Sequence, residues 1–320
     1  MPDPLQYTVA LLAAFAASFL AISNPQLAMR ATIPLLARFV FMVGLVLGLL
    51  TGYRILGFEC RWPPVNALDR FLMIVLPAAL IIEFIAAAPV PDDQHNSQSR
   101  LSSYCAASVR FVFILSVGRI LWHDSVYLSS VESNTKGVWP PLAASGVLLS
   151  GPALLYVASR SSMSLTFRGV SGSLAAGLVM SLLATGMITM LAGYIKGGAA
   201  AVPLAGALGG FALALSLAGE KTGFKTSGGQ FLIGIGVTAL FSLLWIGRFF
   251  GHLTTFDVLM IFLSPHCCWL SEFWPFRDCG NKCRMAIRMT AAAFPLLVVL
   301  FFKWQQFMQK MVPLLAFQTG

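Results

Sequence analysis

Charged residues inside apolar runs hold most of the chemistry this chain can offer. Glu83 stands near the end of an apolar stretch, and Arg110 lies just inside the start of the next. At ~1.5 Å of rise per residue, an antiparallel return brings the two within about 3 Å of the same depth. An ionisable side chain at bilayer depth is costly and marks a functional position or a partnership. A Glu83–Arg110 pair lets both charges persist in a low dielectric. It serves either as an ion pair locking a hairpin or as a carboxylate that takes a proton or a substrate.

A second set comes from a near-repeat. Gly118-Arg119 followed by His123 and Asp124 resembles Gly247-Arg248 followed by His252, and each closes an apolar span. Arg and His four residues apart share a helical face. The two spans run in the same direction, so Arg119, His123, Asp124, Arg248 and His252 can converge at one interface. Such a cluster binds an anionic group or relays protons, or its members are ordinary interface anchors. A third set is His266, Cys267, Cys268, Cys279 and Cys283. Thiolate and imidazole are preferred zinc ligands, and a tetrahedral site needs four. His266, Cys267 (or its neighbour Cys268), Cys279 and Cys283 would supply them. Free thiols behaving as small hydrophobes, or a disulfide if the loop faces an oxidising compartment, are the alternatives.

Gly169-Val170-Ser171-Gly172 resembles the G-x-S-G of rhomboid-type intramembrane serine proteases. That resemblance implies a serine nucleophile with a histidine base on a nearby helix. The His and Asn that rhomboids carry on an earlier helix are absent here. The local reading of Ser171 is an N-cap. No H-E-x-x-H zinc helix and no Walker A phosphate loop occurs.

The elements that must position these residues follow from composition. Hydrophobic residues make up 58% of the 320 and charged residues 10%, where a soluble domain needs about 25% charged. The chain reads as all-α, a polytopic integral membrane helical bundle forming a single transmembrane domain over 1–320. Apolar spans fall near 7–23, 33–50, 70–88, 107–122, 140–158, 171–195, 199–218, 230–250, 256–270 and 286–303, about ten crossings by length. A re-entrant 256–270 leaves nine. The net charge of +9 is spread over helix ends, where headgroups attract it; nucleic acid is excluded as a partner and the bilayer is the expected one. Twelve of the 21 Lys and Arg fall on the side opposite the termini, so the termini are expected to be non-cytoplasmic.

Gly193–Gly197 and Gly206–Gly210 carry the four-residue spacing that lets helices approach closely, within the fold or against a membrane-protein partner. Trp304, Phe307, Met308 and Met311 repeat at helical spacing, so 304–317 reads as an interfacial amphipathic tail that Pro313 interrupts. The expected function is a small-molecule or ion permease. A membrane-embedded enzyme acting on a lipid-linked substrate and a non-catalytic subunit or scaffold are the alternatives.

Overall fold

The computed structural model describes residues 3–23, 34–59, 62–86, 97–123, 171–217, 222–272 and 280–316. Within them every element is a helix and no strand occurs. They are α1 (Pro4–Ser23), α2 (Pro34–Ile55), α3 (67–86), α4 (Ser97–Trp122), α5 (Ser171–Leu191), α6 (Ile195–Ala199), α7 (Ala201–Leu217), α8 (Thr222–Phe250), α9 (Thr255–Leu263), which a 3-10 helix (Ser264–Glu272) continues, and α10 (Asn281–Ala316). Helices fall on nine of the ten expected spans; the tenth, 140–158, lies outside the described residues. Six helical stretches are long and apolar enough to cross a bilayer. In hydrocarbon a backbone must satisfy its own polar groups, which is why runs of this composition become helices.

The helix ends have local causes. Gly57 and Gly193 sit at φ 69° and 99°, the left-handed conformation that a side chain resists. Each stops a helix in a Schellman arrangement: Phe58 N–H donates to Tyr53 O at 3.0 Å, and Tyr194 N–H to Thr189 O at 3.1 Å. Gly193 and Gly197 therefore flank a turn and are not a stacked pair on one helix. α9 opens with a capping box in which Thr254 and Asp257 bond each other's backbone N–H, satisfying two otherwise orphaned donors.

α3 contains a π-helical turn over Phe71–Val75, just before Pro77. Proline has no N–H for the carbonyl four residues back, and its ring crowds that group; the backbone widens there instead.

α8 occupies the middle of the bundle. Its membrane stretch Gly228–Phe250 is 83% buried, against 22% for α1 and 28% for α10. It packs on α2, α3, α5, α7 and α9. Phe41 of α2, Phe211 of α7 and Phe231 of α8 stack at centroid distances of 5.3 to 6.3 Å. α1, α2 and α7 approach through small residues. A Cβ at Gly48 would meet Ala14 O at 2.7 Å, and one at Gly206 would meet Leu11 O at 2.5 Å. The Gly206–Gly210 pair is thus engaged within the chain.

Two ends of the bundle can be distinguished. Trp122 at the end of α4 packs on Trp245 and Phe249 at the end of α8, at 5.6 and 4.6 Å. Thr189 and Tyr194, closing α5, lie against Gly247 and Gly251 of the same end. Tyr7 of α1 borders it too, so this is the Tyr7 end. α4 finishes there, and α5 starts at the opposite, Glu83 end.

Candidate functional site

Glu83 and Arg110 meet across the α3–α4 hairpin. Arg110 donates Nε–H to Oε1 and Nη2–H to Oε2, both at 2.8 Å. The arrangement is bidentate, the strongest geometry open to the two groups. Their side chains are 4% and 12% exposed for Glu and Arg. Glu83 is thus turned into the bundle. Beside it Arg38 of α2, 7% exposed, donates Nη1–H to Phe84 O at 3.4 Å. Its Nε is buried with no hydrogen-bond partner. Sequence reasoning missed Arg38. In the sequence it reads as one of the helix-end cations, although it stands early in an apolar run, as Arg110 does.

At the Tyr7 end the two Gly-Arg-x-x-x-His segments are brought together, but by aromatics. A Cβ at Gly118 would meet the Trp245 ring at 2.7 Å, so glycine there permits the Trp122–Trp245 contact. Arg119, His123 and His252 are exposed. Arg248 donates Nε–H to Thr255 Oγ1 at 3.0 Å and lies 5.6 Å from the Phe249 ring centre, tying the α8–α9 turn. His252 is at φ 55° in that turn. Asp124 lies outside the described residues. Arg70 of α3, 5% exposed, donates to Leu121 O at 3.4 Å, where a cation favours the α4 C-terminus.

A second buried ion pair was not anticipated. Lys303 Nζ of α10 sits 2.8 Å from Asp257 Oδ2, with both side chains under 10% exposed. The signal was present as Thr254-x-x-Asp257, a capping-box spacing, and a lysine between Phe302 and Trp304. α10 runs unbroken from Asn281 to Ala316, so the tail continues this helix through Pro313.

The His/Cys set is dispersed among the described residues. Cys268 is buried and donates weakly to Ser173 O and Arg288 O at 3.8 and 3.7 Å, which packs the 3-10 helix between α5 and α10. Cys267 donates to Leu263 O at 3.7 Å, and His266 lies 6.1 Å from the Phe262 ring centre. Cys283 is exposed at the start of α10. Cys279 lies outside the described residues. Among the described residues no three His, Cys, Asp or Glu side chains gather as metal ligands.

Between the α2–α3 connector and α6 lies a cavity of about 460 Å³ lined by Tyr7, Phe58, Glu59, Asn66, Asp69 and Lys196, among others. Its size falls in the range of small-molecule sites. α3 thus borders this cavity through Asn66, Leu68 and Asp69 at one end and carries a buried ion pair at the other. These features define a polytopic helical membrane protein with its described buried charges near the ends of the bundle. No protein-family model, curated protein or solved structure matches the chain.

Proposed function

We propose that the chain is a permease-like protein for a small molecule or ion, crossing the membrane ten times with both termini non-cytoplasmic. The Glu83–Arg110 pair carries this reading. A carrier needs ionisable groups inside the bundle and away from lipid, and Glu83 is buried against Arg110. α3 links this pair to the Asp69–Lys196 cavity, with the π-helical turn and Pro77 between them. A widened turn beside a proline is where a helix bends. The tenth crossing is 140–158; α4 ending and α5 beginning at opposite ends of the bundle supports it. Arg119, His123 and His252 then flank the Tyr7-end mouth of the path.

The test is reconstitution into liposomes, with solute-driven currents recorded for protons, sodium, chloride, phosphate and amino acids. Wild-type protein moves at least one of these. Glu83→Gln, still monodisperse, loses that current by about tenfold or more, the order expected when a buried charge pair is broken. Unchanged current in Glu83→Gln, or none for any solute with wild type, refutes the reading.

A further inference from the structure

We infer that Arg38 is the seat of an oxyanion site at the Glu83 end of the bundle, taking a phosphate or carboxylate group. A guanidinium carries five N–H donors in a planar fork. Arg38 makes one bond, to Phe84 O at 3.4 Å, beyond the usual N–H···O range and readily exchanged. Its Nε is buried without a partner, and the residue is 7% exposed. No carboxylate of the described residues pairs with it. Glu83, the neighbour of Phe84 in the chain, is engaged elsewhere, because both its oxygens accept from Arg110. Two consecutive residues of α3, Glu83 and Phe84, therefore receive two guanidinium groups and supply one carboxylate.

A buried cation left over in this way is the costly arrangement, far worse than a complete pair. Capping the last carbonyls of α3 accounts for Nη1 but leaves the buried Nε without a purpose. An oxyanion accepting from Nε and a terminal nitrogen completes the fork and balances the charge, since arginine binds carboxylate and phosphate in this bidentate way. The source is either a lipid headgroup or a soluble anion. The inference stands apart from transport, so loss of one reading leaves the other intact.

The experiment uses the full chain in dodecyl maltoside, a detergent without phosphate or carboxylate, with thermal unfolding followed in potassium phosphate and in potassium chloride of equal ionic strength. A parallel arm adds phosphatidylglycerol to the micelles and omits inorganic phosphate. Anion at roughly tenfold its Kd raises the wild-type midpoint by on the order of 3 °C. Arg38→Lys keeps a smaller shift, as a point charge without the fork. Arg38→Met shows no shift and, without anion, melts at or above the wild type because the unbalanced charge is gone. A shift in phosphate alone assigns a soluble anion, and one in phosphatidylglycerol alone assigns a headgroup. Equal shifts in wild type and Arg38→Met, no shift in either arm, or an anion-free Arg38→Met below wild type overturns the site.

Discussion

Replacing Lys303 by methionine removes one half of the ion pair that ties α10 to α9. Lys303 and Asp257 are 6% and 7% exposed, and their charged atoms are 2.8 Å apart. Methionine keeps most of the side-chain volume, so the change is electrostatic. It strands the Asp257 carboxylate at a buried position with the Thr254 N–H, at 2.9 Å, as its remaining donor. Stranding one partner of a buried pair costs ~3–5 kcal/mol; the surviving Thr254 bond puts the expected loss near ~3 kcal/mol. Asp257→Asn alone leaves the ammonium with Gln306 Oε1 at 3.4 Å and carries a similar loss. The double variant leaves no stranded charge, and asparagine still accepts from Thr254. It should lie within about 1 kcal/mol of wild type, because apolar replacement of a whole buried pair is often neutral. Unfolding in mixed micelles with a rising fraction of denaturing detergent measures all four proteins. The predicted coupling exceeds about 2 kcal/mol. Single losses that simply add in the double variant, or that stay under about 1 kcal/mol as for solvated pairs, would refute the argument.

Four further outcomes follow from the packing. Gly210→Ala places a Cβ on the Phe15 carbonyl and should lower stability by ~2–3 kcal/mol, while Gly209→Ala, 3.4 Å from the Phe15 ring, should be neutral or gain up to about 1 kcal/mol of helix propensity; equal thermal midpoints for the two would contradict the α1–α7 approach. Cysteines at Trp122 and Phe249 in a background lacking the native six should cross-link rapidly with a short bismaleimide in native membranes, and free labelling of both without a cross-link would separate the α4 and α8 ends. Cys283 should react with a maleimide in the folded protein and Cys268 only on unfolding, read by mass spectrometry after proteolysis. Tyr53→Phe removes a buried bond to Ala200 O of 2.9 Å and should cost ~1–3 kcal/mol in the same detergent titration.

Hydropathy alone located the helices in the described residues, because a backbone in hydrocarbon has few other choices. It placed Glu83 opposite Arg110 for a similar reason: each charge interrupts an apolar run, and an antiparallel return compares their depths directly. Arg38 and Lys303 interrupt apolar runs in the same way. Both sit close enough to a span's end to read as snorkelling anchors, and only the fold reveals that they turn inward. Glycine spacing was legible at Gly206 and Gly210 and overlooked at Gly44, Gly48 and Gly52. At Gly193 and Gly197 it misled, since a helix-stacking spacing and a helix-ending turn use the same residue for different properties, small size in one case and positive φ in the other.

What remained illegible has a physical cause peculiar to membranes. In water, apolar means buried, so composition separates inside from outside. In a bilayer the lipid tails are as apolar as a leucine side chain, and a phenylalanine gains little by choosing protein over lipid. Phe41, Phe211 and Phe231 form the centre of this bundle, whereas Phe294, Phe301 and Phe302 lie more than half exposed on α10, yet both sets stand in runs of the same composition. Facing is encoded only where lipid and protein differ in cost. Charges differ, since lipid cannot pair them, and small residues at four-residue spacing differ, since lipid does not reward close approach. Among the described residues, those that satisfy either condition include Arg38, Arg70, Glu83 with Arg110, Asp257 with Lys303, Arg288, and the glycines of α2 and α7. They are positions where the fold is specified, because only there do lipid and protein offer a side chain different energies.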